Sequence, residues 1–197
     1  MIQQDLPIAI IGSGPIGLAA AAHLYQLNIP FLVFEKGEQV GSNILAWSHV
    51  TFFSSWTLNM DKVCIELLEN SGWTTPQDDI FPTGHEFLAQ YLVPLFQLPE
   101  INNHIHLNHK VKSVSRYHTN KSSNKRDQPF ELCIINDKKQ TQYIYAKGVI
   151  DASGTWQNMN PIGGSGYYLK EEKTNEHITY GIPDILGENK QDYWGMI

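Results

Sequence analysis

Gly12, Ser13, Gly14, Pro15, Ile16 and Gly17, followed by Glu35, have the residue types and spacing to do chemistry, and that chemistry is the binding of a dinucleotide. In a G-x-G-x-x-G turn the first glycine permits a tight bend, the second lets the backbone approach a pyrophosphate, and the third lets a helix pack against a strand. Unpaired N–H groups and the positive end of the helix dipole then face the phosphates, so no Lys or Arg is needed in the turn. Glu35 stands 21 residues after Gly14. That is close to the roughly 20-residue offset at which an acid accepts hydrogen bonds from a ribose. A carboxylate there repels a 2′-phosphate, which favours FAD or NAD over NADP.

The flanking sequence supplies the elements to position these groups. Ile8-Ala9-Ile10-Ile11 reads as a strand, and Ala21 and Leu24 continue the helix that opens at the turn. Asn28 and Pro30 end that helix, and Leu32-Val33-Phe34 is a second strand delivering Glu35. The segment Lys36 to Asn59 has no helical period and is read as a long loop; Trp47, Phe52, Phe53 and Trp56 either wall a planar ligand or pack the core. A helix is predicted over Asp61 to Leu68, with Asn70-Ser71-Gly72 as its stop. Thr83 and Glu86 have the spacing of a capping box, and the helix after them should kink or shorten at Pro94.

From Ile105 to Ile150 the period drops to two. Val111 and Val114, then Phe130, Leu132 and Ile134, then Tyr143 and Tyr145 predict a meander of strands with a turn at Asp137 to Gln140. The polar stretch Thr119 to Gln128 reads as a hairpin tip. Gly148-Val149-Ile150 is a further strand; it ends in Asp151-Ala152-Ser153-Gly154-Thr155, small residues that allow a ligand close to the backbone. Pro161 to Tyr168 is Gly-rich and matches neither a P-loop nor a hydrolase elbow, so it reads as a connection.

Composition narrows the class. A chain of 197 residues with 42% hydrophobic content can build one α/β domain with a core. Fourteen basic against twenty acidic residues, a net charge of -6, argue against a general binder of nucleic acid or anionic membrane. The apolar run from Leu6 lacks a basic start and is broken by glycines and Pro15, so it is part of the fold and not a leader; a cytoplasmic protein is expected. Cys64 and Cys133 form no redox or disulfide motif.

The turn with Glu35, the meander beginning near Val111, and the strand with its small residues from Val149 to Thr155 together resemble the N-terminal half of FAD-dependent oxidoreductases with two dinucleotide-binding domains, close to the flavin-containing and Baeyer-Villiger monooxygenases. Phe81-Pro82-Thr83-Gly84 with Phe87 and Tyr91 also looks like a segment of that family. The resemblance implies an α/β Rossmann-like three-layer fold with a parallel sheet and an antiparallel meander. It implies FAD as cofactor and NAD(P)H as reductant, with residues 1–160 as the FAD-binding domain and 161–197 as a segment leading to a second dinucleotide-binding domain. Gly12 to Gly17 would hold the pyrophosphate, Glu35 the adenosine ribose, and Val111 the adenine through its backbone, with Lys36 also among the cofactor-binding residues. The loop from Gly41 through Trp47 to Ser54 would run near the flavin, and Ala152, Ser153 and Gly154 would form the second FAD motif.

No second glycine fingerprint follows, so a truncated N-terminal portion is the expectation, with a small-molecule substrate and either a second copy or a chain supplying the other half as partners. Two other functions fit the same residues: a non-catalytic FAD-binding subunit, or an NAD-binding dehydrogenase whose catalytic group is not visible. His104, His106 and His109 could serve a metal only with a carboxylate from elsewhere; a polar strand edge is the simpler reading.

Overall fold

The computed structural model describes residues 6–118, 128–164, 166–175 and 177–194. The tip expected at Thr119 to Gln128 lies outside them except for its last residue, as do residues 195–197. β1 (Ile8–Ile11), α1 (Pro15–Gln26) and β2 (Phe31–Phe34) form the βαβ unit read from the sequence. β1 is central: it pairs in parallel with β2 on one side and with β7 (Gly148–Asp151) on the other. A two-residue strand, β3 (Ile105–His106), extends the sheet beyond β2, giving the order β3-β2-β1-β7.

Alternation along these strands sorts the side chains into two cores. Ile10 and Val33 face α1 and pack with Leu18, Ala21 and Ala22, whereas their neighbours Ala9 and Phe34 face the opposite way, onto Leu132, Ile134 and Ala146. The second face is covered by an antiparallel sheet of β4 (Lys110–Arg116), β5 (Phe130–Ile135) and β6 (Thr141–Ala146) in that order. Helix, parallel sheet and meander thus make three layers, which is why β1 and β2 are apolar on both faces.

Between β2 and β3 the chain runs through short helices. α2 (Ser42–Leu45) and α3 (Trp56–Asn59) interrupt the stretch expected to be one loop; single turns of four residues are too short to show a period. α4 (Lys62–Asn70) begins at Asp61, whose carboxylate accepts from the N–H groups of Val63 and Cys64, and stops at Gly72 with φ +88°. α5 (Gly84–Phe87) carries the capping box, with Thr83 and Glu86 satisfying each other's backbone donors. A π-helical turn, Leu88–Leu92, then leads into α6 (Val93–Gln97), where Pro94 stands. The expected kink is a wider turn: Pro94 has no N–H to give, and the π-turn absorbs the missing bond while keeping Leu88, Tyr91 and Leu92 buried. α7 (Pro99–Asn102) leads to β3, and α8 (Lys170–Thr174) follows β7.

The period of two places Ile105 with the meander, but β3 joins the parallel sheet through Val33 and Phe34. The histidines around it are held by packing. His104 lies against the ring of Phe31 at 4.5 Å, and His106 stacks on Phe34 at 5.4 Å. Burial, and then the neighbouring His109 and His104, hold His106 below its ordinary pKa. A base whose folded pKa is depressed binds fewer protons in the folded than in the unfolded chain. The stability it contributes is therefore complete above the ordinary histidine pKa and is lost as pH falls through the lower folded value. Melting temperatures measured from pH 7 downward should fall less steeply in His106→Gln than in the parent chain.

Candidate functional site

A cleft of about 530 Å³ opens where the C-terminal ends of β1, β2 and β7 meet the first residues of β4. This is where ligands bind in open α/β sheets. Twelve of the fifteen residues expected to hold a cofactor line it: Gly12, Gly14, Pro15 and Ile16 from the first turn, Glu35 and Lys36 after β2, Gly41 and Trp47, Val111, and Ala152, Ser153 and Gly154 after β7. Residues more than a hundred positions apart thus converge on one cavity.

The glycines have different reasons to be glycine. Gly12 has φ +95°, and a Cβ on it would meet the carbonyl oxygen of Ala152 at 2.8 Å. A Cβ on Gly17 would lie 2.0 Å from the carbonyl oxygen of Gly12. Both are fixed by the protein itself. Gly14 is different: its backbone is extended, and a Cβ on it would meet nothing within 4 Å. A side chain there would project into the cleft, so this glycine keeps space open for something else. α1 starts immediately after it with Pro15, no acidic side chain in its first turn and no side-chain cap. Its first N–H groups and dipole are left for an anion.

Lys36, Lys110 and Lys112 line the cleft against Glu35 and Asp151, a cationic excess suited to a ligand carrying phosphates. Asp151 is held below the ordinary carboxylate range by hydrogen bonds from the hydroxyl and then the N–H of Ser153, at 2.6 and 3.1 Å. The aromatics of the 36–59 segment divide. Trp47 lines the cleft, Trp56 and Phe52 pack the core, and Phe53 is 97% exposed.

Three expected residues stand apart from the lining. Ser13 is buried, and both its N–H and its hydroxyl donate to Glu35 Oε2, at 2.8 and 3.1 Å. Gly17 is buried beneath Gly12, and Ser54 donates to Asn59 Oδ1 at 2.8 Å. Glu35 itself is 6% exposed and also accepts from Gly37 N–H at 2.8 Å, so its carboxylate braces the turn as well as facing the cleft. Asn43 and Thr155, which lie inside the two stretches expected near the cofactor, also line the cleft, and so do Lys112 and Trp156, which no sequence signal marks. Lys112 falls at an irregularity in the β4–β5 pairing that leaves no sequence period, and Trp156 lies just past the small-residue run that was recognised.

Elsewhere the chemistry is muted. Cys64 is buried and its thiol is pushed up to about 12, first by burial, so it is inert. Among the described residues no three His, Cys, Asp or Glu side chains are grouped to hold a metal, and no helix is long and apolar enough to cross a membrane.

Comparison with known proteins gives the family and the fold. Residues 9–180 match the profile of the pyridine nucleotide-disulphide oxidoreductase family. The chain is 56% identical over 55 residues to bacilliredoxin reductase Bdr of Bacillus subtilis, covering 28% of this chain and 16% of that protein. It is 38% identical over 87 residues to indole-3-pyruvate monooxygenase YUCCA8 of Oryza sativa subsp. indica, covering 44% of this chain and 19% of the other. Among solved structures, the bacillithiol disulfide reductase Bdr from Bacillus cereus superposes with a TM-score of 0.60 at 24% identity, over 82% of this chain and 43% of that one. An NADP-bound steroid monooxygenase gives 0.60 at 17% identity, over 79% and 27%. At these identities the structures speak for the fold, and the chain spans less than half the length of each relative.

Proposed function

The chain belongs to the pyridine nucleotide-disulphide oxidoreductase family, and from that premise we propose that it binds FAD and forms the flavin-holding part of an NAD(P)H-dependent oxidoreductase of the flavin monooxygenase kind. The observation that carries the reading is the single cleft onto which the first glycine turn, the end of β2, the start of β4 and the Ala152 to Gly154 segment converge. The residues fit the group: the open space beside Gly14 and the uncapped start of α1 suit a pyrophosphate, and the first turn of the meander at Val111 gives a backbone edge for an adenine. A lone βαβ unit for NAD would not need that edge.

FAD, when bound, supplies the electron transfer; the protein's part is to hold and orient it and to shield it from water. In this reading the N–H groups at the start of α1 hold the phosphates, Glu35 accepts from a ribose hydroxyl with the lone pair its internal bonds leave free, and Trp47 walls the planar ring.

The visible spectrum of the purified chain, recorded after removal of free small molecules, tests the assignment. Flavin bands in stoichiometric amount, with FAD identified by mass in the released cofactor, are the expected result. A chain that takes up no flavin on addition of FAD but binds NADH would overturn it in favour of an NAD-binding protein.

A further inference from the structure

Behind Trp156 lies a second cavity, of about 620 Å³, separate in its lining from the glycine turn. Trp156 and its indole form the shared wall, with Trp47 on the cleft side at a ring separation of 6.4 Å. Tyr180 and Tyr193 stand in the other walls with His177 and Met159, and Asp192 stands at the exposed rim. No Lys or Arg is among the lining residues.

These walls are held in place by contacts of their own. Gly181, at φ +94°, passes beneath Trp156 so closely that a Cβ would already touch the indole at 3.6 Å. The ring of Tyr180 meets Tyr168 edge-on at 5.5 Å, and the Tyr193 hydroxyl donates to Thr179 Oγ1 at 3.2 Å. Asn189 clips the rim: its amide oxygen accepts from Asp184 N–H at 3.1 Å while its amide nitrogen donates to Asp192 Oδ2 at 3.3 Å. The carboxylate of Asp192 keeps acceptor capacity, because one amide bond does not fill its two oxygens. The Tyr180 hydroxyl is shielded from water and has no hydrogen-bond partner among the described residues.

Aromatic faces with one carboxylate and no Lys or Arg among the lining residues select for a flat ring that carries positive charge: the ring stacks, and the cation is attracted both by the π-faces and by the carboxylate. We infer that this cavity is a binding site for a planar aromatic amine, in its cationic form, held between Trp156, Tyr180 and Tyr193 with its ammonium toward Asp192. The inference stands on this cavity alone and does not require the neighbouring cleft to hold a flavin.

Isothermal titration of the full chain with tryptamine tests it, with indole-3-acetate as the same ring carrying the opposite charge. Tryptamine should bind saturably at one site, at least tenfold more tightly than indole-3-acetate. Asp192→Asn, an exposed substitution, should erase that discrimination. Thr179→Trp should fill the cavity and abolish tryptamine binding. Failure of tryptamine to saturate, or a preference for it that survives Asp192→Asn, overturns the inference. Recording flavin absorbance on the same samples keeps the two readings apart: loss of flavin uptake would count against the proposed function, and only the titration bears on this site.

Discussion

Gly14→Leu is expected to abolish FAD retention while leaving the flavin-free chain nearly as stable as the parent. Gly14 is extended and precedes Pro15, a conformation that any residue adopts and that residues before proline prefer. Its Cβ would meet no protein atom within 4 Å, so the fold has little objection to a side chain. The leucine would instead occupy the mouth of the turn, beside the uncapped N–H groups of α1 where the proposed FAD would set its phosphates. Affinity for FAD should fall at least 100-fold, about 2.7 kcal/mol, and the melting temperature should shift by no more than about 2 °C.

Gly17→Ala makes the opposite pattern and serves as the control. Its single methyl would sit 2.0 Å from the Gly12 carbonyl oxygen, a backbone atom that cannot swing aside. The turn and α1 must separate, at a cost of about 3 kcal/mol seen with or without flavin. Flavin fluorescence titration and thermal unfolding followed by circular dichroism distinguish the two. If Gly14→Leu binds FAD as the parent does, the phosphates do not lie against this turn.

The contrast between these glycines marks how far the sequence could be read. The spacing placed all three at one turn because a strand, a helix start and a second strand announce themselves through apolar pattern over short distance. What the spacing could not distinguish is which glycine the protein needs for itself. That depends on Ala152, 140 residues away from Gly12, whose carbonyl oxygen fills the space a side chain would take. The capping box at Thr83 and the stop at Gly72 were legible for the same local reason. β3 was not: two residues carry no period, and its place beside β2 is set by a parallel pairing that sequence separation hides. The aromatics of the 36–59 segment were equally opaque. Only the fold decides that Trp47 turns to the cleft while Trp56 joins Phe87 and the core.

Glu35→Ala should destabilise the chain in the complete absence of cofactor, by about 3 kcal/mol, which for a protein of this size is a fall of roughly 6–12 °C in melting temperature. The carboxylate is 6% exposed and accepts three hydrogen bonds, from Ser13 N–H, the Ser13 hydroxyl and Gly37 N–H. Removing it strands two buried or half-buried backbone donors, each at a cost of about 1–3 kcal/mol. Glu35→Gln should fall between: one amide oxygen can accept from Ser13 or from Gly37, but its NH₂ group would face the other donor. The sequence offset from Gly14 predicts an acid for a ribose; the structure gives the same acid the work of tying the glycine turn to the end of β2. Those two tasks are compatible, because three bonds leave a carboxylate one acceptor position. They are also separable by experiment. Unfolding of the flavin-free variants reports the brace, and FAD affinity of Glu35→Gln relative to its stability loss reports the ribose contact. An unchanged melting temperature in flavin-free Glu35→Ala would mean that the brace contributes nothing and that this acid is there for the ligand alone.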